Sequence, residues 1–242
     1  MVLLFDGGPH SAYTGYVLDI LDQHCAKAAF FFSGISALAN PEAVRDVARR
    51  GHTLAASADL AALPAGDAEA EVEKGFAAIV KSSPGAAVAP FFRAVSGSDR
   101  PETLDFLKAR GVSLWHADLD SGDTEPGLSP SQLANRTLLR IRELGKGVIQ
   151  FHDTKKVTVD CLDSILTGLR LSGFKVVQIV PASNFVPAEA ILAQLSIKPV
   201  AVASSAPRTS RRLLDEAKRR VLVSRRRDQE ARRGPRRREN AD

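Results

Sequence analysis

Seven short apolar runs, divided by six amphipathic stretches, leave this chain few folds to adopt. The runs are 2–5 (VLLF), 28–32 (AAFFF), 53–56 (TLAA), 89–92 (APFF), 112–116 (VSLWH), 147–151 (GVIQF) and 174–180 (FKVVQIV). Between them, segments 13–25, 41–50, 67–82, 101–110, 130–144 and 157–172 carry apolar residues at helical spacing. Runs this short and this apolar read as buried strands, with the intervening helices as crossovers of parallel βαβ units. Boundary residues agree. Asn40-Pro41, with Glu42 behind, marks a helix start, and Gly111, Gly145 and Gly173 each follow a helix as a stop. Periodicity leaves two closures open: an open doubly wound sheet and a closed (β/α) barrel.

Composition limits the remainder. With 44% hydrophobic residues among 242, the chain can bury a sizeable α/β core. No apolar run approaches the roughly 18 residues of a membrane span. Charge is uneven: residues 204–242 hold 14 Lys and Arg against 6 Asp and Glu, a balance of +8, while 19 against 22 elsewhere leave the body at −3. The chain is therefore expected to divide into a folded domain at 1–187, an extension at 188–203 in which 188–200 add one helix and a final strand or extended segment, and an Arg-rich tail at 204–242. In the tail, Leu213, Leu214, Ala217, Val221 and Leu222 suggest a short basic amphipathic helix, followed by disorder from Arg225. Such a tail could contact acidic surfaces, nucleic acid or lipid, although its interleaved acids and missing aromatics favour a solvated segment. Cys25 and Cys161, without metal-type spacing, read as two free buried thiols.

Chemistry-bearing residues gather at the ends of the apolar runs. Phe5-Asp6-Gly7-Gly8-Pro9-His10 leaves the first, and Gly51-His52-Thr53-Leu54-Ala55-Ala56 enters the third. Phe91-Phe92-Arg93-Ala94-Val95-Ser96-Gly97 leaves the fourth, the loop Ala117-Asp118-Leu119-Asp120-Ser121-Gly122-Asp123 follows the fifth, and Gly147-Val148-Ile149-Gln150-Phe151-His152-Asp153 forms the sixth. Parallel strands would bring Asp6, Arg93, the 118–123 loop and His152 to one face. Each motif alone has an ordinary explanation: a strand exit, a surface arginine, a solvated acidic turn, a structural histidine.

Together, across residues 2–182, these segments resemble the polysaccharide deacetylases (the NodB-type carbohydrate esterases), which include chitooligosaccharide deacetylases. The resemblance implies a distorted (β/α) barrel of about seven parallel strands with the site at their C-terminal ends. It implies that Asp6 is the catalytic base, Arg93 its tether, His152 the general acid and Asp123 the carboxylate that tunes it. The backbone N–H at Ser96 would help bind an oxyanion. The family holds a divalent metal, zinc or cobalt, on an Asp-His-His set whose positions here are Gly7, Ser57 and Ala61, so no cofactor is expected. His52 falls outside that set and reads as a structural residue capping a strand. The expected function is a deacetylase-type hydrolase by descent, acting on acetylated oligo- or polysaccharide with activity lost or impaired; the alternative is a non-catalytic carbohydrate- or partner-binding protein. Members of the family are typically exported. Met1 stands only five residues before Asp6, which leaves no room for a leader, so the start looks shortened.

Overall fold

The apolar runs become the strands of one parallel sheet, and their order decides between the two closures. The computed structural model describes residues 1–61, 63–96 and 100–195. Its elements are β1 (Val2–Asp6), α1 (Thr14–Gln23), β2 (Ala29–Ser33), α2 (Gly34–Ala39), α3 (Pro41–Arg49), β3 (Thr53–Asp59), α4 (Ala65–Ser82), β4 (Val88–Ser96), α5 (Pro101–Ala109), β5 (Ser113–Leu114), β6 (Leu119–Asp120), α6 (Pro130–Leu144), β7 (Val148–His152), α7 (Lys156–Leu171) and α8 (Glu189–Gln194). The strand order is β5-β4-β3-β2-β1-β7-β6, with every pairing parallel. This is the cyclic order of a barrel, left unpaired between β5 and β6. A doubly wound sheet would reverse direction from its centre instead. The fold is thus a curled, incompletely closed (β/α) barrel.

Side-chain alternation along the strands builds two apolar layers. Leu3, Phe5, Phe30, Phe32, Leu54, Ala56, Phe92, Ile149 and Phe151 pack outward against Val17, Leu18, Val47, Phe76, Leu162 and Ile165 of the helices. Phe5 stacks on both Phe30 and Phe151, at ring distances of 5.0 and 5.7 Å. Each buried phenylalanine contributes on the order of 2 kcal/mol. The opposite face carries Leu4, Ala29, Phe31, Ala55, Ala89 and Phe91, with Trp115, Val148 and Ile179 against them. By the same alternation Asp6, Ser57, Arg93 and His152 continue this inner layer at the C-terminal strand ends.

Several expectations need correction. The run 174–180 forms no ladder. It crosses the lower ends of β1 and β3: the Met1 amine donates to Lys175 O at 2.5 Å, Val177 N–H to Met1 O at 2.9 Å and Thr53 Oγ1 to Ile179 O at 2.6 Å. A segment spanning two strands cannot satisfy one strand's edge, so it closes the inner layer with Ile179 instead. The seventh strand is the two-residue β6 in the acidic loop. Helix α2 was not anticipated; Ser33 caps it, its Oγ accepting Ser36 N–H at 3.2 Å. Asn40 does precede α3, but its amide donates to Pro9 O at 3.2 Å rather than capping. Cys161 is buried and Cys25 is exposed. Within the extension, α8 supplies the expected helix. The final strand, Gly97 and the tail fall outside the described residues. No helix among the described residues is long and apolar enough to cross a membrane.

His52 behaves as a structural residue. Its Nδ1 accepts Ala28 N–H at 3.2 Å and its ring stands edge-on to Phe30. Burial, reinforced by Lys27, pushes its pKa down to about 4, so the ring is neutral.

Phe185 fastens the segment after α7 to the barrel. Its N–H donates to Val88 O at 2.8 Å, its ring stacks on Phe76 at 3.9 Å, and Arg110 lies 5.0 Å over its face. Phe185→Ala should lower unfolding free energy by about 3 kcal/mol in urea titration. A change below about 1 kcal/mol would show that this segment docks without that ring.

Candidate active site

Asp6 ends β1 with its carboxylate 2% exposed and both oxygens engaged. Oδ1 accepts Gly7 N–H at 2.7 Å, and Oδ2 accepts Arg93 Nε–H at 2.7 Å from β4, two strands beyond β2. Arg93 is itself mostly covered, so this charge-assisted pair is screened far less than a surface one. Ser96, the expected oxyanion donor, closes β4 and pairs in register with Asp59.

His152 ends β7 directly beside Asp6, since the two are register partners. Its Nδ1 lies 2.8 Å from Asp123 Oδ1, and its backbone N–H donates to Asp123 Oδ2 at 2.7 Å. Thr158 Oγ1 donates to the same Oδ2 at 2.5 Å. Asp123 is 3% exposed and, as a carboxylate, can only accept, so the ring proton sits on Nδ1. Burial pushes the imidazole pKa down. The hydrogen bond and charge of Asp123, helped by Asp6 and Asp120, outweigh it, and His152 holds its proton above the ordinary histidine range.

The acidic loop is held from below and is no loose turn. Asp120 Oδ1 accepts Gly122 N–H at 2.8 Å. Arg136 of α6 donates to Ser121 O at 3.0 Å and Glu125 Oε2 at 2.6 Å, and Arg140 donates to Asp120 O at 2.7 Å. A Ser129–Gln132 capping box fixes the start of α6 and so the arginines that grip the loop. The sheet thus brings together Asp6, Arg93, Asp123 and His152, the four side chains singled out in the sequence.

Two neighbours had not been assigned a role. Asp153 is fully buried beneath the loop after β1. Thr14 Oγ1 donates to its Oδ2 at 2.5 Å while accepting His10 N–H at 2.7 Å. Its Oδ1 has no hydrogen-bond partner among the described residues. A Cβ on Gly8 would lie 2.2 Å from Asp153 Oδ2, so only glycine fits there. Gln150, on the inner face two residues before His152, places its carboxamide nitrogen 3.3 Å from His152 Nε2, which accepts from it. Position beside the His-Asp pair was the only sequence hint for either residue.

The three positions that the resemblance assigns to metal ligands do not fit a divalent ion. Gly7 has no side chain and sits at φ +83°. Ser57 is buried with its hydroxyl donating to Phe31 O at 3.2 Å. Ala61 contributes backbone alone, its N–H on Asp59 Oδ1 and its O accepting Arg100. Among the described residues no group of three His, Cys, Asp or Glu side chains is placed to hold a metal. Zinc and its neighbours need such donors.

Comparison with known proteins gives a consistent result. The polysaccharide deacetylase family pattern matches residues 1–112. A chitooligosaccharide deacetylase of Sinorhizobium fredii is 30% identical over 156 residues, 62% of this chain and 70% of the relative. Another, from Rhizobium leguminosarum bv. trifolii, is 32% identical over 132 residues, 53% of either chain, so the match spans about half of that relative. Among solved structures, a peptidoglycan deacetylase of Bdellovibrio bacteriovorus superposes with a TM-score of 0.72 at 32% identity, over 81% of this chain and 56% of its own.

Asp153 gives the site a measurable pH signature. Burial pushes its carboxyl pKa up to about 7, against the lowering effect of the Thr14 hydrogen bond. The folded protein therefore binds this proton more tightly than the unfolded chain does. The resulting stabilisation is complete below about pH 4 and is lost as pH rises through about 7. Asp153→Asn should shrink the loss of unfolding free energy between pH 5 and pH 8 by about 2 kcal/mol, read from urea midpoints. An equal loss in both proteins would show that the carboxyl keeps no proton.

Proposed function

This chain belongs to the polysaccharide deacetylase family, and on that premise we propose that it engages acetylated sugar chains at its strand ends without the metal centre that drives their deacetylation. In this reading Asp6 occupies the place of the base and Arg93 fixes its carboxylate. His152, held by Asp123, occupies the place of the general acid, and the backbone N–H of Ser96 faces the acyl group. The observation that carries the reading is the intact pair of proton-handling couples beside Gly7, Ser57 and Ala61, which offer a metal nothing to bind.

Metal coordination lowers the pKa of water from about 15.7 to about 7, on the order of 12 kcal/mol in the cost of forming the nucleophile. A carboxylate with an ordinary pKa near 3.9 is a weak base for unassisted water. General base catalysis typically contributes 10²–10⁴-fold, roughly 3–5 kcal/mol, and leaves most of that deficit in place. What remains is a recognition surface: a fixed carboxylate, an arginine and an imidazole whose proton affinity Asp123 raises, each able to hydrogen-bond sugar hydroxyls or an acetamido group.

Purified protein should contain no stoichiometric zinc or cobalt. With either metal added, it should release no acetate from N-acetylglucosamine oligomers above the protein-free control, yet bind those oligomers in calorimetric titration. Acetate release would overturn the non-catalytic reading, and absence of binding would overturn the sugar reading. The combined variant Gly7→Asp, Ser57→His, Ala61→His should bind about one zinc per chain. The positive φ at Gly7 costs an aspartate about 1–2 kcal/mol, small against the roughly 10 kcal/mol or more of a formed zinc site. A folded triple variant that binds no zinc would show that these are not the ligand positions.

A further inference from the structure

Asp123 claims only one nitrogen of the His152 ring; the structure also provides for the other. Gln150 precedes His152 by two residues on β7, so both side chains point to the inner face. Its backbone is fixed on either side, in register with Leu4 of β1 and Asp120 of β6, and its carbonyl accepts Ser121 N–H at 3.1 Å. The residue is 5% exposed, and its carboxamide nitrogen lies 3.3 Å from His152 Nε2. A buried amide without a partner costs about 1–3 kcal/mol, and an apolar residue of similar length would avoid that cost.

We propose that Gln150 is a positioning residue for His152, its carboxamide occupying Nε2 and setting both the ring's orientation and its readiness to take a proton. An amide suits this task because its two edges differ. The NH₂ edge donates to the bare Nε2 of the neutral ring, and after a flip the oxygen accepts from the Nε2–H of the imidazolium. The acceptor contact with a charged ring is the stronger of the two, so Gln150 adds to the proton affinity of His152. It acts alongside Asp123, Asp6 and Asp120, with Arg93 beyond Asp6 and the carboxyl of Asp153 on the following residue. A ligand that receives a proton from Nε2 must displace this amide, which selects for groups bearing a carbonyl or hydroxyl oxygen.

The idea rests on the proposed function only in taking Nε2 as the nitrogen that faces the sugar, and its test needs no activity. In ¹⁵N-labelled full-length protein, the His152 ring resonances are followed through a pH titration in wild type, Gln150→Leu and Gln150→Glu. The leucine variant should lower the His152 midpoint by about half a unit or more, roughly threefold in proton affinity, and the glutamate variant should raise it. In both, the Nδ1 signal should keep its hydrogen-bonded position on Asp123, which separates loss of the Nε2 contact from general disruption. Should the leucine variant not fold, the nearly isosteric glutamate carries the test. A midpoint that stays put in either folded variant, or rises in Gln150→Leu, would overturn the proposal. Failure of sugar binding would leave this result untouched.

Discussion

The parallel pairing of β1 with β7 fixes everything at the site. Five consecutive register pairs, from Val2↔Val148 to Asp6↔His152, place the carboxylate and the imidazole side by side. Phe5 and Phe151, stacked on the helical side of the same two strands, hold that register against a slip. A shift by one residue would turn Asp6 into the apolar layer under α1 and α7 and expose Phe5 at the mouth. The strands therefore cannot keep their core without also keeping their site.

The two couples at those strand ends are nearly self-contained. Asp6 is balanced by Arg93, and Asp123 holds the His152 ring through its Nδ1–H. A cation taken from a cluster of paired carboxylates would leave buried negative charge unmatched, at a cost of several kcal/mol. Here the ligand positions are small and neutral, so the pocket has nothing to compensate. On the proposed reading, this is how the fold persists without the metal's donors. It also explains why the residues that handle protons stay buried and hydrogen-bonded, where substitution of one partner would strand the other.

Much of the architecture was readable because it depends on period and volume. The phenylalanine-rich runs at 28–32 and 89–92 are too short for buried helices and too apolar for surface strands; the first enters β2 from Ala29 onward and the second lies within β4. The run 174–180, FKVVQIV, is also largely apolar but became a crossing segment, because it hydrogen-bonds to Met1 at the start of β1 and to the Thr53 hydroxyl at the start of β3 instead of along a single strand. The two residues of β6 left no periodic trace in the acidic loop. Asp6, Arg93, Asp123 and His152 could be singled out because motifs mark strand ends. Gln150 could not: a polar side chain inside a strand declares its role only when the atom it touches is known. Asp153 was hidden for a related reason, since its burial comes from Gly8 in a distant part of the chain. Cys25 was misjudged because its exposure is set by the turn after α1, where its φ is +50°.

The central claim is that no cation completes this site. Crystals grown with excess zinc, with anomalous differences collected across the zinc absorption edge, test it most directly. The account predicts no anomalous peak within coordinating reach, about 2.0–2.3 Å, of Asp6 or His152. A full-occupancy peak there, its shell closed by other residues of this chain, would contradict it.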